Sequence, residues 1–516
     1  MIRQFAEKPG TVFALVFAWK VALLLFTAQP VPNNDSFFYD GPVVNYLLHG
    51  QYCNPSLVHA LPISGGEVFS AYPPLYQAVL LGWMSVFGTS AISAMWLHMG
   101  LLGVYLLIVL MIFRHLQIPG LLANLAGLFL FGITFHDRPD TLAHVLGAVA
   151  VLGLVRRGGG WWLTAVALVL AFCASLQIGA VYLLWCGLVA FGNAWTGSRR
   201  FPWAAVILGG IALMGLVALV RFGYPHLWAG FQEHARLTPS VTGWRVPALF
   251  DGLKAVRTAP GVLVVGAVAF VAVLNGRVTR LALKDSPAGM VAICGTFAAL
   301  ALIGVSLVLL TPNTIHIANY FQPVVVGAFL SSGLFLPNSQ PPSRAVLALF
   351  LALSLVTGVR AIGMTTWGVV CAQDVSHAQA MTRVNAELDA LPPSSTVLVS
   401  SAYLYEAARR TNVTWLHSDW LAVWSPGPYK LNAWLKLRPA KMIVTQFDLY
   451  RREQATLNEL QTRPEVAEVR VTNTARVPVP DASPATQRVV QHVSWAPVVV
   501  DFIWRGALSS PPSPAR

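Results

Sequence analysis

Long apolar runs broken by short polar turns fill roughly the first 370 residues of the chain. A helix that crosses a bilayer needs roughly 20 apolar residues, fewer where aromatics cap its ends. The runs predict about eleven such helices, at 11–29, 92–113, 120–135, 141–155, 161–176, 178–194, 203–222, 260–275, 289–310, 320–336 and 345–366. The run 75–88 is shorter and predicts a helix lying on the membrane surface or dipping into it. The pairs 120–135/141–155 and 161–176/178–194 read as tight hairpins. After about residue 370 charges become frequent and no run could span. TVLVSSAYLYEAARR predicts strand, turn and helix, NVTWLH and KMIVTQF predict short strands, and YRREQATLNELQTR an amphipathic helix. Alternating strands and helices imply a small α/β domain with a largely parallel sheet.

The predicted fold class is therefore an α-helical polytopic membrane protein: about eleven transmembrane helices, interfacial helices in the first outer loop, and a C-terminal soluble α/β domain. The expected divisions are a transmembrane domain over 1–370 with the outer loop at 30–74, an α/β domain over 371–508, and a flexible tail over 509–516. Composition agrees. Only 11% of the 516 residues are charged and the mean hydropathy is +0.62, which excludes an ordinary soluble globular chain.

Charge decides orientation. The formal net charge of +13 would suggest nucleic acid in a soluble protein, but no basic–aromatic reader motif is present, so no nucleic-acid partner is expected. Compact basic clusters such as RRGGG and GSRR recur on one side of the runs, as the positive-inside pattern requires. That places the N-terminus in the cytoplasm. Before residue 376 only Glu7 and Asp285 then share its side, while Asp35, Asp40, Glu67, Asp137, Asp140, Glu233, Asp251 and Asp374 fall outside, with the C-terminal domain. The N-terminal run lacks an A-x-A site and reads as an uncleaved first span of a plasma-membrane protein. Lys20, inside that span, should face the bundle or snorkel. Of the five cysteines, Cys173, Cys186 and Cys294 read as small core residues. Cys53 and Cys371 would share the oxidising side, which allows a disulfide without establishing one.

Three stretches carry candidate chemistry. Asp35 follows the first run by about six residues, backed by Phe37, Phe38 and Tyr39. A carboxylate held at an aromatic interface can serve as general base for a hydroxyl; equally, Asn34, Asp35 and Ser36 are good caps for a helix running to Leu48. HDRPD, residues 136–140, forms a hairpin turn on the same side. Its His136, Asp137 and Asp140 can ligate a divalent cation, and Arg138 can hold a phosphate oxygen; Pro139 and Asp140 can also simply start the next helix. The outer loop 223–258 mixes Trp228, His234, Trp244, Arg245 and other aromatics and basics. They suit a lipid-linked phosphate or a sugar, or else an interfacial helix. A shorter outer loop, 311–323, offers His316, Asn319 and Tyr320, as polar lining or aromatic belt.

Together these elements resemble the GT-C superfamily of integral-membrane glycosyltransferases, in the branch of the protein mannosyltransferases and lipid A aminoarabinose transferases. The family's first outer loop opens with an acidic motif, a Tyr, a helical stretch and G-x-Y, here Asp35, Tyr39, Gly50 and Tyr52. A Pro-Pro-Leu-Tyr element follows, here Pro73 to Tyr76, then Phe87-Gly88, and then R-P-D, here Arg138, Pro139 and Asp140. Two departures stand out: Ser36 replaces the frequent Glu after the first Asp, and Asn319 replaces the usual Arg of a late R-Y…P element. The resemblance implies transfer of a sugar from a polyprenyl-phosphate donor to an acceptor hydroxyl of a lipid, glycan or protein, with inversion. It implies Asp35 as base and Asp140 as the second catalytic residue. It also implies donor contacts from Tyr39, Tyr76, Arg138, Arg245, His316 and Tyr320, with a divalent cation at His136 and Asp137 as an option. The competing classes are a transporter or lipid flippase, and a membrane scaffold for the C-terminal domain. Acids gathered at one face, away from the bilayer midplane, argue against the first.

Overall fold

The computed structural model describes residues 8–32, 35–133, 138, 140–156, 160–195, 203–237, 291, 294–295, 326–327, 329–330, 341–371, 375–418, 429–473 and 494–505. It divides into two compact units, one of residues 1–25, 70–86 and 93–364, the other of 26–69, 87–92 and 365–516.

Helices occupy the described apolar runs of the first unit. They include Thr11–Thr27, Leu75–Phe87, Ala91–His115, Gly120–Ile133, Asp140–Val155, Trp161–Ala174, Leu176–Trp195, Trp203–Ala218 and Pro341–Ser354. Within such runs only a helix satisfies every backbone polar group from inside the segment. Many carry large apolar side chains outward as well as inward, among them Phe191, Ile211 and Met214, as helices do where both sides of the stripe are apolar. Among the described residues, Ala91–His115 and Leu347–Val370 are long and apolar enough to cross a membrane. A third candidate is the pair Gly209–Gly223 and Pro225–His234, bent by 104°. The expected runs 260–275, 289–310 and 320–336 lie largely outside the described residues. Pro225 starts the helix Pro225–Leu237, where its missing N–H costs nothing. The guanidinium of Arg221 sits 5.3 Å from the ring of Phe222 and 5.8 Å from that of Trp228.

Polar groups brace this unit at two depths. Asn124 Oδ1 accepts the N–H groups of Gly10 (3.1 Å) and Val12 (3.2 Å), while its Nδ2 donates to Lys8 O (3.0 Å). These N–H groups start the first helix and have no partner within it. Asn124→Ala should therefore lower stability by about 1–3 kcal/mol, read as a lower unfolding temperature in detergent; an unchanged transition would refute the brace. Lys20 is buried with its ammonium 4.3 Å from the Phe131 ring centroid, so it faces the bundle.

The second unit holds a five-stranded sheet of order β2-β1-β3-β5-β4. Its strands are β1 (Thr396–Val399), β2 (Thr414–His417), β3 (Lys441–Thr445), β4 (Val466–Asn473) and β5 (Pro497–Trp504). The strands expected from the pattern, β1 to β3, pair in parallel. The sheet as a whole is mixed, because β5 pairs antiparallel to both β3 and β4. β5 is apolar enough at Val498–Val500 to be buried from both faces. β4 forms the edge and carries the exposed Glu468–Arg470 pair there. Helix His377–Asp389 opens the domain with a capping box, Ser376 and Gln379. Leu398, Leu416, Trp434, Met442, Val444, Leu457 and Phe502 form the core beside the sheet.

Residues 26–69, most of the loop expected at 30–74, belong to this unit. Helix Ser36–His49 ends at Gly50, whose φ of +74° few other residues would adopt, and the Gly50 N–H closes onto Tyr46 O. That accounts for the glycine of the G-x-Y element. Asn54 Nδ2 donates to Phe37 O at 2.9 Å, and Ser56 Oγ donates to Asn54 Oδ1 at 2.6 Å, so the following turn folds back on the helix.

Candidate active site

In the first unit the R-P-D turn and the Pro-Pro-Leu-Tyr region converge. Asp140 is the first residue of helix Asp140–Val155, most of whose residues are buried, and it has no solvent exposure. Arg138 Nε donates to Asp140 Oδ2 at 2.9 Å. On the other oxygen, Ser175 Oγ donates to Asp140 Oδ1 at 3.0 Å, and Tyr72 Oη lies 3.2 Å from Oδ1 and 3.0 Å from Ser175 Oγ. Gln177 Oε1 stands 3.4 Å from the same serine. Ser175 occupies the break between helices Trp161–Ala174 and Leu176–Trp195, where its extended backbone turns the hydroxyl toward the start of the neighbouring helix. A buried ion pair survives only when its remaining lone pairs and protons are hydrogen-bonded, and here two hydroxyls do this.

One turn deeper, His144 lies on the same face as Asp140. Its Nδ1 is 3.4 Å from Tyr182 Oη, and its ring is 5.7 Å from that of Tyr105. The Tyr182 ring rests against Gly147, where an added Cβ would come within 2.1 Å of it. Gly147→Ala should force the ring aside, costing about 1–3 kcal/mol and weakening the His144 contact, measurable as a lower unfolding temperature. Tyr76 is fully buried, with its Oη 2.9 Å from His98 Nε2 and its ring stacked on the imidazole.

In the second unit Asp35 stands at the N-cap position of helix Ser36–His49. Its carbonyl accepts Phe38 N–H (3.0 Å) and Tyr39 N–H (3.3 Å), but its side chain makes no capping hydrogen bond. The carboxylate is at the cap site without acting as the cap. Tyr39 is buried, edge-on to Phe38. Asp40 is buried and accepts a hydrogen bond from Tyr405 Oη at 2.8 Å. Tyr403 Oη donates to Trp495 O at 2.9 Å, and burial, with the Asp448 charge adding to it, pushes its pKa well above 10, so it remains a donor.

Arg138 and Asp140 are thus brought together, and Asp35, Tyr39 and Tyr76 are placed on named helices. His136, Asp137, Arg245, His316 and Tyr320 lie outside the described residues. Among the described residues no three His, Cys, Asp or Glu side chains are grouped to hold a metal ion. Cys53 is buried and in no disulfide, its Sγ 3.4 Å from Asn45 Nδ2; the Cys371 side chain lies outside the described residues. Sequence reasoning passed over Ser175, His144 and Tyr182. The available signal was a Ser and a Gln two residues apart between apolar runs, and a His one helical turn after Asp140.

No protein-family model and no curated protein sequence matches the chain. Solved structures do. ArnT from Cupriavidus metallidurans bound to undecaprenyl phosphate is 14% identical, with a TM-score of 0.50 over 97% of this chain and 99% of that one. The Archaeoglobus fulgidus oligosaccharyltransferase in complex with Zn and sulfate is 10% identical, with a TM-score of 0.48 over 86% of this chain and 69% of that one. The mycobacterial arabinofuranosyltransferase AftD is 13% identical, with a TM-score of 0.44 over 91% of this chain and 37% of that one. A mostly helical chain with a small C-terminal sheet, alignable with ArnT almost from end to end, shares the fold of ArnT.

Proposed function

We propose that this protein is a membrane glycosyltransferase that moves a sugar from a polyprenyl-phosphate donor to an acceptor hydroxyl on the outer face of the plasma membrane. The observation that carries the reading is the buried Arg138–Asp140 pair, braced by Tyr72 and Ser175 inside a largely apolar helical unit. Ionisable groups in such surroundings are costly and mark function. The ArnT whose fold it shares was solved with undecaprenyl phosphate bound, which supports the class of carrier.

In this reading the acceptor oxygen attacks the anomeric carbon as Asp35 takes its proton. The bond from that carbon to the phosphate oxygen breaks, its electron pair leaves with polyprenyl phosphate, and the configuration inverts. Arg138 balances charge on the departing phosphate. Asp140 keeps that guanidinium oriented, and Arg245, His316 and Tyr320 complete the donor contacts. About eleven crossings would put the N-terminus in the cytoplasm and residues 371–508 outside.

The test is purified protein in detergent with a panel of polyprenyl-phosphate sugars, following free polyprenyl phosphate with and without EDTA. Release from at least one donor is expected. Loss of release in EDTA would bring in a cation at His136 and Asp137. No release from any donor, together with flux of the same lipids in vesicles, would replace the transferase by a transporter.

A further inference from the structure

The helix that begins at Asp35 is held by the C-terminal α/β domain at several points. Tyr405 Oη donates to the buried Asp40 carboxylate at 2.8 Å. The Phe37 ring stacks on His417 with centroids 3.7 Å apart and planes 15° from parallel. At the far end of the helix, His49 Nε2 donates to Ala408 O at 2.7 Å.

These anchors share one place in the fold. His417 is the last residue of β2, and Tyr405 and Ala408 lie in the short helix after β1. The three parallel strands are ordered β2-β1-β3, so the chain leaves β1 to one side and returns to the other. In sheets of this kind, ligands bind beyond the carboxyl ends of the strands at such a switch point. Here Ser401, just after β1, lies 3.2 Å from His417 Nε2, and both are fully buried. The strand-end position that takes a ligand elsewhere is covered by a helix of this same chain.

We infer that the α/β domain is a cradle for helix Ser36–His49, and that Tyr405, through Asp40, is a positioning residue for Asp35. The inference rests on the role of Asp35 proposed above. It assigns the C-terminal domain a task within the transfer reaction itself. Asp40 faces one helical turn beyond the start of the helix, so a hydrogen bond there sets the rotation of the first turn, and with it the direction of Asp35.

The test uses the full chain in detergent with four variants: Tyr405→Phe, Asp40→Ala, their combination, and Asp40→Asn, whose amide oxygen still accepts the Tyr405 proton. Two quantities are read, hydrogen exchange over residues 36–49 and the rate of polyprenyl-phosphate release. In the first two variants, exchange over 36–49 should rise about tenfold or more relative to helix Asp140–Val155. kcat should fall by a comparable factor with donor KM unchanged. The double variant should fall no further than either single one, and Asp40→Asn should retain most of both. Unchanged exchange over 36–49 would overturn the cradle. Raised exchange with unchanged kcat would overturn the positioning role. Should the wild type release nothing from any donor, the proposed reaction fails, and the exchange measurement alone still decides whether the domain holds the helix.

Discussion

Replacing Asp35 by Asn should reduce transfer by about 10²–10⁴-fold while leaving the protein folded. The size follows from removing a general base, since an amide takes no proton from the attacking hydroxyl. Retention of the fold follows from the local geometry. The backbone carbonyl of Asp35 starts helix Ser36–His49, and its side chain supplies no capping bond. Asn is as good a residue at that position as Asp. Initial rates of polyprenyl-phosphate release, measured beside a thermal unfolding curve, check both halves. A variant with wild-type turnover would remove Asp35 from the mechanism, and one that no longer unfolds cooperatively would make its role structural.

Asp140→Ala should destabilise the helical unit by about 3–5 kcal/mol, because it leaves the guanidinium of Arg138 buried without its carboxylate. The hydroxyls of Tyr72 and Ser175 lose an acceptor at the same time. Loss of monodisperse protein in detergent, or a collapse of the unfolding temperature, is the expected readout. The double replacement Arg138→Met with Asp140→Leu distinguishes a prop from chemistry. Two apolar side chains of similar volume should restore much of the stability. They cannot restore balance of charge on a leaving phosphate, so transfer should remain lost. A stable double variant with normal turnover would show that the pair serves packing alone.

Much of this molecule was legible before any coordinates. The apolar runs located the described helices to within a few residues, because in a run without charges only a helix satisfies the backbone. Gly50 ended the loop helix where the G-x-Y element stands. The R-P-D turn stood out as a polar cluster between two apolar runs, but that Arg138 pairs with Asp140 was learned from the structure. The mixed character of the sheet was less legible. β5 pairs antiparallel with both β3 and β4, and strand propensity encodes neither a partner nor a direction.

By itself, then, the sequence determined which of the described segments are apolar helices, that strands and helices alternate near the C-terminus, and which acids and bases stand between the apolar runs. Each of these follows from composition and period over a short window. Tertiary structure alone decided who meets whom. It brought Ser175 and Tyr72 onto Asp140, and set Tyr182 against His144 in the space left by Gly147. It also joined helix Ser36–His49 to the C-terminal sheet domain through Tyr405 and His417, more than 350 residues away. Contacts of that range depend on how helices and strands stack, and the stacking is a sum over many small packing terms that no single window of sequence contains.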